Sequence, residues 1–277
     1  MLSKKGIKVN EGCSHGSDTP LQNAAWSGHE EVVKLLIKKE GININKASND
    51  GSTPLSEAAW KGHEEVVKLL LGKEGINVNK PMNDGRTPLF LAAQFGNEKV
   101  VGILLNMQGI DGNQAMDDGR TPLLIAAQLG HTRVVEILLA KDSIDINQAS
   151  NLGYTPLTNA LLSDHEEVAE LLLQKDHINV NAADMNGNTP LLIAAQMGQD
   201  HVVKILLGKQ GIQLNQANMV GDTPLIIAAR KRHGKIVEML LRMPQIRAIG
   251  WNGWRPHRRA PRREQLPVAY SGPRVFM

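Results

Sequence analysis

The stretch Asp50-Gly51-Ser52-Thr53-Pro54-Leu55-Ser56-Glu57-Ala58-Ala59-Trp60-Lys61-Gly62-His63 decides the architecture. Asp50-Gly51 favours a tight hairpin turn, because glycine takes a positive φ without a steric penalty. Thr53 is placed to cap a helix whose first residue is Pro54, where a missing N–H is harmless. Ala58 and Ala59 are small enough to let neighbouring helices approach closely. Gly62 stands where a left-handed cap would end this short helix. Beyond it, Val66, Val67, Leu69, Leu70 and Leu71 form an apolar face at helical spacing. Gly75 reads as the end of that second helix, and Ile76-Asn77-Val78-Asn79 leads into the next turn. The segment is a turn followed by two antiparallel helices.

Outward from this segment the same pattern recurs. Thr-Pro-Leu begins at Thr19, Thr53, Thr87, Thr121, Thr155, Thr189 and Thr223, always 34 residues apart. A glycine precedes the Thr by two residues at Gly51, Gly85, Gly119, Gly153, Gly187 and Gly221, and an Asn closes the linker at Asn45, Asn79, Asn113, Asn147, Asn181 and Asn215. A single helix pair cannot bury its apolar faces, so the units must stack.

The runs Asp84-Gly-Arg-Thr-Pro-Leu-Phe-Leu-Ala-Ala93 and Trp60-Lys-Gly-His-Glu-Glu-Val-Val-Lys-Leu-Leu-Leu71 resemble the two halves of an ankyrin repeat. The resemblance covers residues 17–243 in seven units. It implies an all-α ankyrin-repeat solenoid: stacked helix-turn-helix units joined by β-hairpin-like turns. The Trp…Leu-Gly…Tyr pattern of tetratricopeptide repeats is absent. The usual ankyrin period is about 33 residues, and the additional residue here falls between the second helix and the linker, as in Gly72-Lys73-Glu74-Gly75.

Departures from the family pattern carry expectations of their own. Gln22, Ser56, Phe90, Leu124, Thr158, Leu192 and Ile226 follow Thr-Pro-Leu where the family often has His, which puts some inter-repeat hydrogen bonds in doubt. Asp164 and Arg232 replace the junction glycine, so those two junctions should be the most strained or the least regular.

The flanks differ from the array. Residues 1–16 read as part of a preceding repeat, since Leu2 to Asn10 aligns with Leu36 to Asn45 less one residue. Residues 1–243 carry 24 Lys and Arg against 27 Asp and Glu; residues 244–277 carry seven Arg and one Glu. This Arg/Pro-rich tail lacks periodicity and is expected to be disordered. The seventh unit offers Ile236, Val237, Met239, Leu240 and Leu241 with no eighth unit to cover them. The chain is therefore expected to be a segment of a longer array, or to end outside its natural reading frame.

Composition excludes several classes. Hydrophobic residues make up 42% of the 277, so wholesale disorder is out. Nine aromatic residues argue against a pocket walled by aromatic rings. The lone Cys13 can form neither an internal disulfide nor a Cys-clustered zinc site, and the start lacks the apolar run of a signal peptide. With no run of 18 apolar residues, the reading is a soluble protein of a reducing compartment, cytoplasmic or nuclear. Phosphate-loop, His-Glu-x-x-His and Gly-x-Ser-x-Gly motifs are absent, so no enzyme activity, cofactor, metal or small-molecule substrate is expected. His29, His63, His131 and His165 recur at one repeat position and read as structural. The pairs Glu30/Glu31, Glu64/Glu65 and Glu166/Glu167 open the second helix, where they complement its dipole; Glu30 with Lys34 and Glu64 with Lys68 are four residues apart.

Function must then lie in positions that vary while their neighbours repeat. Two follow Ala-Ala on the first helix and hold Trp26, Trp60, Phe95, Leu129, Leu162 and Met197; one precedes the Thr and holds Arg86, Arg120 and Tyr154. The family resemblance implies that these line a concave face that contacts partner proteins. Met116, Leu152, Met185 and Met219 are placed to flank the stripe. The expectation is a protein-binding adaptor or scaffold, monomeric or part of a longer array, with aromatic and Arg residues as anchors. The opposing reading of Trp26 and Trp60 is that they pack between adjacent units. A second functional class rests on the tail: Arg255, Arg258, Arg259, Arg262 and Arg263, near Trp251 and Trp254, could bind nucleic acid or an anionic surface. The linker Asn residues resemble those that asparaginyl hydroxylases modify in some ankyrin proteins.

Overall fold

The computed structural model of the chain describes residues 8–12 and 18–246. Cys13, Trp251, Trp254 and the tail arginines Arg255, Arg258, Arg259, Arg262 and Arg263 lie outside the described residues. Among those described there are fourteen α-helices and no strand. They come in pairs: α1 (Pro20–Trp26) with α2 (Glu30–Leu36), α3 (Pro54–Lys61) with α4 (Glu64–Leu71), α5 (Pro88–Gln94) with α6 (Glu98–Leu105), and α7 (Pro122–Gln128) with α8 (Thr132–Leu139). Then follow α9 (Pro156–Leu162) with α10 (Glu166–Leu173), α11 (Pro190–Met197) with α12 (Asp200–Leu207), and α13 (Pro224–Lys231) with α14 (Gly234–Leu241). First helices pack on first helices of the next unit and second helices on second helices, giving two layers around one continuous core.

Each first helix starts as the sequence dictates. All seven Thr side chains accept the backbone N–H three residues on, and proline takes the first helical position every time. The seat after Thr-Pro-Leu divides by chemistry. Gln22, Ser56 and Thr158 return a hydrogen bond to the N–H of their own Thr, completing a capping box. Gln22 also crosses to the next unit, its Nε2 donating to the Ser52 carbonyl at 2.7 Å. Phe90, Leu124 and Leu192 instead fill the seat with buried apolar surface. Packing thus replaces hydrogen bonding at this position.

The left-handed junction between the helices has two causes. Gly28, Gly62, Gly96, Gly130 and Gly198 all take a positive φ, and a ring or amide of the following unit lies against each. A Cβ on Gly28 would stand 2.7 Å from the His63 ring. That ring is there for a reason: His63 Nε2 bonds the Trp26 carbonyl at 2.9 Å, closing the exposed end of α1. His131 reaches Gln94 O and His233 reaches Gln196 O in the same way, while Asn97 Nδ2 donates to the carbonyls of Ala59 and Trp60. The histidine position is therefore structural, and it extends to Asn97, Gln199 and His233. Asp164 and Arg232 adopt φ of 62° and 64°, as expected of irregular junctions, and His177 joins them at 64°.

Two ladders tie the units edge to edge. Ser48 N donates to Ser52 O within the hairpin, and Asn83 N donates to Asp50 O across to the hairpin before it. The same single bond recurs from Asp117 to Asp84 and from Asn151 to Asp118. In the linkers, Asn79 Oδ1 accepts from Asp111 N at 3.0 Å and its Nδ2 donates to Gly109 O at 2.6 Å. Asn45, Asn113, Asn147 and Asn181 repeat the double bond, and Asn10 takes the same seat.

Some expectations need correction. Lys34 and Lys68 pair with Glu31 and Glu65, three residues away, and not with Glu30 and Glu64. Glu64 points to the following unit, where Lys99 meets it at 2.9 Å. The second helix of the second unit ends at Leu71 with Gly72 as its cap, and Gly75 turns the linker instead. In the seventh unit Ile236 and Leu240 are buried against their own unit, Val237 and Met239 are half-buried, and only Leu241 of the five is exposed.

Candidate partner-binding surface

Each first helix starts directly after its hairpin, at the capping Thr, and ends at the junction with the second helix. In each of the first six units one of the two residues after the second Ala (or, in the fifth, after Leu161) is large and apolar: Trp26, Trp60, Phe95, Leu129, Leu162 and Met197. Its neighbour is Ser, Lys or Gln, and the seventh unit has Arg230 and Lys231 instead. Trp26, Phe95, Leu129, Leu162 and Met197 keep between 36 and 43% of their surface exposed. The Ala pairs beside them, such as Ala58 and Ala59 or Ala126 and Ala127, are wholly buried.

The aromatic members touch one another across units. The Trp26 and Trp60 rings meet edge to face with centroids 5.0 Å apart, and Trp60 stacks on Phe95 at 5.4 Å. Lys61 extends its ammonium over the Trp26 ring, 3.6 Å from the centroid. The tryptophans pack between units, and Trp26 leaves part of its surface exposed. Trp60, in the middle of the three rings, is half-buried.

The turn positions behave differently from the stripe. Arg86 Nε donates to Asp84 at 2.6 Å and Arg120 Nε to Asp118 at 2.8 Å, so both guanidinium groups fold back onto their own hairpins. Tyr154 is half-buried, and burial followed by the nearby Asp184 carboxylate pushes its phenol above the usual range. Leu152, Met185 and Met219 are exposed on the turns, whereas Met116 is half-buried.

One feature escaped the sequence reading. A groove of about 490 Å³ runs between the second hairpin and the first two first helices, with Trp26 and Trp60 in its lining. Its other lining residues are polar, and Phe95, which stacks on Trp60, is not among them. Asp18, Asp50 and Glu57 share the lining, and no basic side chain does.

The family model described as ankyrin repeats (3 copies) matches at residues 1–82, 46–116, 75–150, 110–184 and 177–249. The chain belongs to the ankyrin-repeat family. The crystal structure of the human ASB11 ankyrin repeat domain superposes with a TM-score of 0.67 at 30% identity, over 81% of this chain and 97% of that one. No curated protein gives a significant sequence match. Ankyrin repeats are in general protein–protein interaction modules, and the fold is typically a binding scaffold and not an enzyme. Among the described residues of this ankyrin array, no helix is long and apolar enough to cross a membrane, and no group of three His, Cys, Asp or Glu is placed to hold a metal ion.

Proposed function

We propose that the chain is an adaptor or scaffold that binds another protein through the first-helix face. Its anchors are Trp26, Trp60, Phe95, Leu129, Leu162 and Met197, with Arg86, Arg120 and Tyr154 at the turn margin. One observation carries this reading: six consecutive units each present one large apolar side chain beside a buried pair, Ala-Ala in five of them and Ala160-Leu161 in the fifth. A soluble array loses stability to no purpose by leaving such a file in water, whereas a partner that covers it gains the apolar area. The surface is held rigid by capped helices and stacked rings, so little conformational entropy is lost on association.

Affinity capture from the lysate of the source organism tests the proposal. It compares the intact chain with a Trp26→Ala/Trp60→Ala variant of unchanged helical circular dichroism and with a chain truncated after Met243. Capture of a protein that survives truncation and is lost with the two Trp supports the face. Capture that follows the tail and fades with salt overturns it.

A further inference from the structure

The groove at the second unit carries a charge pattern that the rest of the array does not. In the third and fourth units the hairpin aspartates Asp84 and Asp118 are each neutralised by the arginine two residues on, Arg86 and Arg120. In the seventh, Asp222 is held by both terminal nitrogens of Arg230. The second unit has Asp50 at the hairpin but Ser52 in the arginine position. Asp50 receives only hydroxyl and backbone donors, from Ser48 and Ser52. Burial opposes its ionisation, yet those hydrogen bonds win and hold the carboxyl below its usual range. Among the described residues neither Asp50, Asp18 nor Glu57 is in an ion pair.

Glu57 is the more telling residue. Its repeat position holds Leu91, Ile125, Ile193 and Ile227 in four other units, all buried, and Asn23 and Asn159 in the remaining two. A carboxylate in a seat that four other units fill with Leu or Ile gives up apolar burial and adds a desolvation cost. Its Oε2 is buried and has no hydrogen-bond partner, the Ser52 hydroxyl being the one internal donor to this carboxylate. Stability does not explain such a group, and a ligand that supplies the missing donor does. The walls fit the same ligand: the Trp26 ring already holds one ammonium, that of Lys61, and Trp60 stands edge to face with it.

We infer that this groove receives a lysine or arginine side chain of the partner, which takes at Asp50 and Glu57 the place that Arg86 and Arg120 fill in the next two units. The inference rests on the proposed binding face and names the chemistry of one contact on it. The partner segment is basic at this point, and the tryptophans cover its aliphatic stem. Pairing a cation with desolvated carboxylates sets register along the face as well as affinity.

NMR titration of the full chain tests this, following the indole N–H resonances of Trp26 and Trp60. The probes are Nα-acetyl-lysine amide, Nα-acetyl-arginine amide and the neutral Nα-acetyl-glutamine amide. Saturable shifts with the two cations and none with the glutamine probe are expected. Glu57→Gln should weaken the cation response at least fivefold, and Ser52→Arg should abolish it by restoring the internal partner of Asp50, both with unchanged circular dichroism. Equal shifts from all three probes, or a full cation response in both variants, would overturn the inference. A partner protein that is lost with Trp26→Ala/Trp60→Ala but retained by Glu57→Gln sinks the groove and leaves the binding face standing.

Discussion

Gln199 donates from Nε2 to the Asp164 carboxylate at 2.9 Å and to the Leu161 carbonyl at 3.0 Å. Asp164 is the residue that replaces a junction glycine, and Gln199 is the residue that replaces the histidine packed above it. At the preceding junction a Cβ on Gly130 would come within 2.5 Å of the His165 ring. An aspartate there has no room for histidine; the narrower amide of Gln199 both avoids the side chain and bonds it. Asn97 above Gly62 shows that an amide can also close a glycine junction. Arg232 needs no such accommodation, since no described unit lies beyond it.

Gln199→His alone is therefore expected to destabilise the array, and Asp164→Gly in the same chain to restore it. A coupling of about 0.5–3 kcal/mol between the two substitutions is the expected size for contacting residues. Urea unfolding of the four chains of the cycle measures it, and additive effects would contradict the clash.

Thr121 caps α7 with no capping box behind it, because Leu124 offers no return bond. Thr121→Ala should cost about 1 kcal/mol, the usual value for a lost N-terminal cap. The shift of the urea midpoint at constant slope gives the figure.

Trp60 has ring contacts on two sides and Trp26 on one. Trp60→Ala should accordingly destabilise the chain more than Trp26→Ala, with about 0.5–1.5 kcal/mol for each ring pair lost beyond the buried area. Thermal unfolding ranks the two. Trp26→Ala as the more damaging variant would show that the stack does not contribute in proportion to its contacts.

Burial raises the Glu57 carboxyl above its ordinary 4.5; the Ser52 hydrogen bond and Lys61 pull the other way, while Asp50 and Asp18 add to the rise. The folded chain then binds this proton more tightly than the unfolded one. Glu57 contributes its stability below pH 4.5, and loses it as pH climbs through the raised folded value. Glu57→Gln should raise Tm at pH 7 and have little effect near pH 4. Calorimetry at the two pH values decides the sign.

Most of the fold was legible because it is local and repeated. Thr-Pro-Leu specifies cap, first residue and first core contact of a helix within three positions. Asp164 and Arg232 stood out as junctions because every neighbour in register is glycine. His177 carried the same signal, since Gly41, Gly75, Gly109 and Gly211 share its register and its positive φ, but Ser143 breaks the run and hid it. The candidate face was legible only as positions. Which way a ring turns depends on the unit above it, so the stacking of Trp60 on Phe95 and the folding back of Arg86 onto Asp84 needed coordinates. The ion pairs of Lys34 and Lys68 failed for a related reason: acids three and four residues away both lie within reach, and spacing alone does not choose between them. The oddity of Glu57 was present in the aligned repeats, beside Leu91 and Ile125, yet a single glutamate on a helix reads as solvated until its burial is known.

The linker asparagines give the array a mechanical character. Each one clasps only the linker of the next unit, and the hairpin bonds likewise reach no further than an adjacent hairpin. Tension applied to the two ends would pass through the joints in series, each held side by side by a linker clasp, a hairpin bond and helix packing. The stack would then yield link by link from its weakest joint, and a partner lying along several first helices would act as a splint across those joints.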